Sequence, residues 1–138
     1  MLKKIEQLKK VFSTCSTLEQ KYEKIMELGK GAEKLQQADK VPENIVQGCQ
    51  SVMYLHTTYS DGKLYFTAES EALISAGLAY LLTSIYSGES PETVLKTPPD
   101  YLDELQIPSS LTPSRANGLY SLHLRIKQEA LKQLVSNG

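Results

Sequence analysis

The chain has 138 residues, 41% hydrophobic and 22% charged, with a net charge of -1, which is ordinary globular usage and excludes a disordered or fibrous chain and a strongly basic nucleic-acid binder. That length buries one substantial core but is too short for two. Its two cysteines, Cys15 and Cys49, are too few for a disulfide framework and suit a reducing compartment.

Leu2, Ile5, Leu8 and Phe12 recur every three or four residues and predict a short amphipathic helix. Lysines interleave with these apolar residues, so there is no continuous apolar core of the signal-peptide kind. Ser16 and Glu19 have capping-box spacing for a second helix. Its apolar set, Leu18, Tyr22, Ile25 and Met26, runs until Gly29 or Gly31 ends it, and Cys15 falls in the link before it.

From Gln50 the period changes. Gln50 to Tyr59 is rich in Val, Thr and Tyr, and Lys63 to Glu69 alternates Leu64, Phe66 and Ala68 with Tyr65 and Thr67. Asp61-Gly62 between the two runs predicts a hairpin over about 50–69, with Cys49 at the mouth of its first strand. Helical spacing returns at Leu73, Ile74, Leu78, Leu81, Leu82 and Ile85, with Ser70 as the expected N-cap and Gly88 as the stop. This should be the most buried helix. Ser75, Thr83 and Ser84 interrupt its apolar stretch, which is shorter than the ~20 residues that span a bilayer, so a soluble, cytoplasmic protein is expected.

Ser90-Pro91 opens a further short helix with proline at its first position, and Thr97-Pro98-Pro99 closes it. Residues 97 to 111 read as mostly irregular. Thr112-Pro113 then starts the last helix, whose apolar face is Leu119, Leu122, Ile126, Ala130 and Leu134. Two helices, a hairpin and three further helices amount to a single α+β domain over residues 1–138.

Charge is unevenly distributed. Lys and Arg number nine against seven Asp and Glu over residues 1–60, two against eight over 61–104 and four against one over 105–138. The acidic middle segment either faces water or steers a basic partner.

A metal site needs three or four converging Cys, His or carboxylate ligands, whereas Cys15, Cys49, His56 and His123 are scattered. Gly29-Lys30-Gly31 follows a helix instead of a strand and lacks a later Gly-Lys-Ser/Thr, so it reads as a helix terminus. In a cysteine hydrolase, His56 would lie seven residues along the strand from Cys49, too far for a direct hydrogen bond at about 3.3 Å per residue. His123, on the last helix, stays open as a base. Cys49 itself has two readings: a buried, inert cysteine, or a thiol that the neighbouring Gly48 lets the backbone aim at another molecule.

Val46-Gln47-Gly48-Cys49-Gln50-Ser51 resembles the sulfur-acceptor signature of SufE-like proteins. Leu111-Thr112-Pro113-Ser114-Arg115-Ala116-Asn117-Gly118-Leu119 is similar to their second signature, before the final helix. Weaker agreement comes from Tyr22 through Gly29 and from Glu69-Ser70-Glu71-Ala72 leading into Gly77-Leu78, so the resemblance spans about Leu18 to Leu131. Where the family usually has a Trp-like position after the cysteine, this chain has Val52-Met53-Tyr54.

The resemblance implies a SufE/IscU-like fold and a carrier that accepts sulfane sulfur from a PLP-dependent, SufS-like cysteine desulfurase. The sulfur would pass to an iron-sulfur scaffold of the SufBCD kind, and the carrier would bind no PLP or metal. Cys49 takes the nucleophile's position, with Gly48 and Gln50 supporting it and Gly48 acting as a hinge between guarded and exposed positions. Arg115 is expected near the Cys49 loop, where it either favours the thiolate or holds the loop through carbonyls; the alternative is a helix-packing arginine. Glu71 is the expected partner contact. Monomer or weak homodimer is the expected state, and an IscU-like iron-sulfur or zinc scaffold or a noncatalytic interaction domain are the competing readings.

Overall fold

The computed structural model describes residues 1–49 and 51–137. Among them the elements run α1 (Leu2–Ser13), α2 (Leu18–Lys30), β1 (Met53–Ser60), β2 (Lys63–Ser70), α3 (Leu73–Tyr86), α4 (Pro91–Lys96), α5 (Asp100–Glu104) and α6 (Pro113–Asn137), with single 3₁₀ turns between. The two strands pair antiparallel in register from Met53↔Ser70 to Ser60↔Lys63. Asp61 and Gly62 both have positive φ, 53° and 76°, the two-residue turn whose twist matches that of the strands.

One face of the hairpin carries Met53, Leu55, Leu64 and Phe66, all buried, and packs on α3. That helix has nine buried residues, from Ile74 to Tyr86, because β2, α2 and α6 all contact it. The crossing with α2 is backbone to backbone. A Cβ on Gly77 would stand 1.9 Å from the Ile25 carbonyl oxygen, and one on Gly29 2.8 Å from the Gly77 nitrogen. Two glycines therefore set this interhelical distance, and the fully buried Ile25 fills the space beside them.

On the opposite side of α3 a polar cluster is sealed in the core. The Tyr86 hydroxyl lies 2.9 Å from Nε2 of His123 on α6, accepts from the Tyr101 hydroxyl on α5 at 3.0 Å and reaches the Thr97 carbonyl at 3.2 Å. Lys127 donates to the Leu95 and Thr97 carbonyls at 3.0 and 2.6 Å. Burial, reinforced by the Lys127 charge, pushes His123 down to about 4, and burial pushes Tyr86 up to about 12, so this cluster is held neutral apart from its lysine.

The α+β architecture and the hairpin follow the sequence patterns, with local differences. The capping box of α2 is Thr17 with Gln20, one residue beyond the Ser16–Glu19 pair. Ser70 does not cap α3: it closes β2 opposite Met53, and Ala72 precedes the helix without a side-chain bond. Residues 97–111 hold a further helix, α5, so four helices follow the hairpin. Its buried Tyr101 and Leu102 supply the burial that so short a helix needs.

Candidate functional site

Val46 and Met53 close a neck beneath the segment that carries Cys49. The Val46 amide donates to the Met53 carbonyl at 2.9 Å, and Ile45 bridges Tyr54 one step below. Beyond Val46, Gly48 and Cys49 lie over the N-terminal half of α6, beside Ser121 and Gly118. Gly48 takes φ +91°, a left-handed conformation that glycine adopts without steric cost. It also lies so close to α6 that a Cβ there would stand 2.5 Å from the Ser121 hydroxyl. The positive φ favours glycine beside the cysteine, and any side chain there would also have to displace the Ser121 hydroxyl.

Cys49 is a free thiol, partly buried, and its Sγ donates to the Gly118 carbonyl at 3.7 Å. It opens onto a cavity of about 70 Å³ whose wall includes Met53, Leu78, Leu119 and Leu122 with Ser114 and Arg115 at its polar side. One water needs about 10–15 Å³ by this measure, so the space beside Sγ accepts another small group such as a second sulfur atom. Burial pushes the Cys49 thiol up. The resting group is therefore protonated at neutral pH.

Arg115 sits in the first turn of α6, exposed and in the wall of the same cavity as Cys49. Its backbone amide bonds the Thr112 hydroxyl at 3.4 Å, while its guanidinium makes no hydrogen bond to the other described residues. Glu71 is exposed just after β2, at a surface hollow that it shares with Val52, Tyr54 and Lys40. Val52 belongs to the Cys49 loop and is 53% exposed, so the hollow and the thiol's loop form one continuous surface. Gln50 lies outside the described residues.

His123 is engaged by Tyr86 in the core, and the Nδ1 of His56 faces Asp39 at 3.7 Å on the outer side of the hairpin. Neither histidine lines the cavity at Cys49. Cys15 lies between α1 and α2, with its thiol toward the Gln20 carbonyl. No group of three His, Cys, Asp or Glu side chains among the described residues is arranged to hold a metal ion, and no helix among them is long and apolar enough to cross a membrane.

Two residues of the site escaped the sequence reading. Ser121 abuts Gly48, and Arg125 donates to the carbonyls of Ile45, at 3.0 Å, and Glu43. Both read in sequence as ordinary polar positions of a helix, and their partners are more than seventy residues away.

Residues 6–130 match the family described as SufE, Fe-S metabolism associated domain. An uncharacterized SufE-like protein of Synechocystis sp. is 33% identical over 111 residues, covering 80% of this chain and 70% of its own length. SufE-like protein 1, chloroplastic/mitochondrial, of Arabidopsis thaliana is 31% identical over 129 residues, 93% of this chain and 35% of that protein. In three dimensions the chain is similar to the solution structure of a hypothetical protein from Thermus thermophilus, with a TM-score of 0.78, 25% identity and 96% of each chain covered.

Proposed function

The chain belongs to the SufE family, whose membership implies a sulfur-acceptor role in iron-sulfur metabolism and interaction with a cysteine desulfurase, and on that premise we propose that Cys49 is the residue that accepts the sulfur. Residues 1–138 act in this reading as one SufE-like domain. The Cys49 thiolate attacks the outer sulfur of the desulfurase persulfide. A new S–S bond forms at Cys49 Sγ, the donor's S–S bond breaks, and the donor cysteine leaves as a thiolate that takes up the proton Cys49 gave away. The Cys49 persulfide is then attacked at its outer sulfur by a thiolate of the iron-sulfur scaffold, which restores the Cys49 thiol.

The observation that carries this reading is a thiol held on a loop beside a cavity with room for one more small group. A thiol raised by burial is a poor nucleophile at rest and resists adventitious oxidation. Lifting the loop toward a partner removes that burial, so the thiolate forms more readily there than at rest, while Arg115 stays behind on α6 in the wall of the cavity the thiol leaves. Glu71 and the exposed Val52 present a mixed acidic and apolar contact surface next to the loop.

Intact-mass measurement after incubation with a cysteine desulfurase and cysteine tests the proposal. The expected result is a gain of one sulfur atom, removed by reductant and absent from Cys49→Ala. A gain at Cys15 alone, or full stimulation of the desulfurase by Cys49→Ala, would overturn it.

A further inference from the structure

We propose that Arg125 is a positioning residue for Cys49, clamping the neck of its loop to α6 so that the thiol rests at Gly118; this rests on the reading of Cys49 as the sulfur acceptor. Three contacts place the segment on the helix in descending order. Ile45 meets Arg125, Gly48 meets Ser121 and Cys49 meets Gly118. Residues 118, 121 and 125 share one face of a helix by their spacing of three and four. The seven helical steps from Gly118 to Arg125 rise about 10.5 Å at 1.5 Å each, and residues 45–49, with their turn at Gln47–Gly48, meet that stretch in the opposite chain direction.

Within that strip the described contacts of Gly48 and Cys49 with α6 are weak. A thiol is a poor donor, and the Gly48 contact with Ser121 is steric. The strong tie is at the other end, where one guanidinium donates to two backbone carbonyls and its Nε donates to Glu129 at 3.0 Å. Charge-assisted bonds from a rigid fork fix orientation as well as distance. The Glu129 contact in turn holds the fork from one helical turn further on. This arrangement lets Gly48 and Cys49 lift while the neck stays in register on α6.

The test uses the two cysteines of the intact chain as probe and internal reference. Alkylation by iodoacetamide is followed separately at Cys49 and Cys15 by peptide mass spectrometry in the unsubstituted chain, Arg125→Met and Arg125→Lys. Arg125→Met is expected to speed alkylation of Cys49 about tenfold, because losing two charge-assisted bonds makes local opening of the loop cheaper, and to leave Cys15 unchanged. Arg125→Lys, with the charge but not the fork, should fall between. Equal acceleration at both cysteines would assign Arg125 to the general fold, and no change at Cys49 would remove the clamp; either overturns the proposal. If Arg125→Met does not fold, Glu129→Ala carries the same comparison, with a smaller selective rise at Cys49 expected and none overturning it. Sulfur loading of the unsubstituted chain fails or succeeds independently of these alkylation rates, so the clamp and the acceptor role are tested separately.

Discussion

The Gly118 carbonyl oxygen accepts the Cys49 thiol at 3.7 Å, and a Cβ at Gly118 would stand 3.7 Å from the same sulfur. The second distance is an ordinary van der Waals contact, so Gly118→Ala fits without a clash. Alanine within a helix is favoured over glycine by roughly 0.5–1 kcal/mol, and the variant should melt later. Its methyl group nonetheless takes space beside the thiol, and sulfur loading measured by intact mass should slow. Unchanged loading in a stabilised variant would show that the space beside Sγ is not used.

Burial pushes the Cys49 thiol up, so its alkylation should reach half-maximal rate at a higher pH than the ~8.5 of an exposed cysteine. The charged group facing it across the cavity is Arg115. A raised folded-state value stabilises the protein below the unfolded value, and this contribution is lost as pH rises through the folded one. Cys49→Ala should therefore lose less stability than the unsubstituted chain on going from neutral to alkaline pH. Urea midpoints at the two pH values check this, and parallel losses would contradict it.

His123 carries the opposite sign. Its value falls from 6.5 to about 4, through burial first and the Lys127 charge second. A depressed folded-state value gives stability that is complete above the unfolded value and lost as pH falls through the folded one. At 1.36 kcal/mol per unit the whole contribution is about 3 kcal/mol. His123→Gln, which has no ring to charge, should be less stable than the unsubstituted chain at pH 7 and lose less on acidification. An acid limb of the same depth in both proteins would sink the assignment.

The glycine pair between α2 and α3 reverses the usual effect of replacing glycine in a helix. A Cβ at Gly77 would lie 1.9 Å from the Ile25 carbonyl oxygen, which is backbone and has nowhere to move without parting the helices. Gly77→Ala should cost about 3 kcal/mol or more, at the upper end of overpacking penalties. Urea denaturation measures it, and a loss below about 1 kcal/mol would mean that the crossing adjusts.

Features that depend on a few neighbouring residues were legible in the sequence. Asp61-Gly62 announces the turn, and the Ser90 hydroxyl caps α4 by accepting from the Thr93 amide. Where two local choices compete, the sequence alone does not rank them. Ser70 has the composition of a helix cap, but pairing with Met53 keeps it in β2. Thr17 and Gln20 outcompete the equally spaced Ser16 and Glu19. Helix α5 has no periodic pattern over its five residues and is held by burial of Tyr101 and Leu102. At the candidate site, one motif picks out Gly48 and Cys49 and a second picks out Arg115, because each is continuous in the chain. Arg125 is different: it reaches the Ile45 carbonyl 80 residues away, and an arginine on a helix with Glu129 four residues later looks like an ordinary surface pair until the loop is seen lying on it.

The Asp61-Gly62 turn also offers a place to attach a reporter. Seven residue steps separate Met53 at the neck from Ser60 at the turn, about 23 Å at 3.3 Å per step. Nothing lies within 4 Å of a Cβ built on Gly62, and Ser60 and Lys63 on either side are exposed. A fluorophore on Lys63 would ride on the same rigid hairpin that bears the Cys49 loop, yet stand well clear of anything gripping that loop. Its anisotropy would follow complex formation in real time without obstructing the thiol.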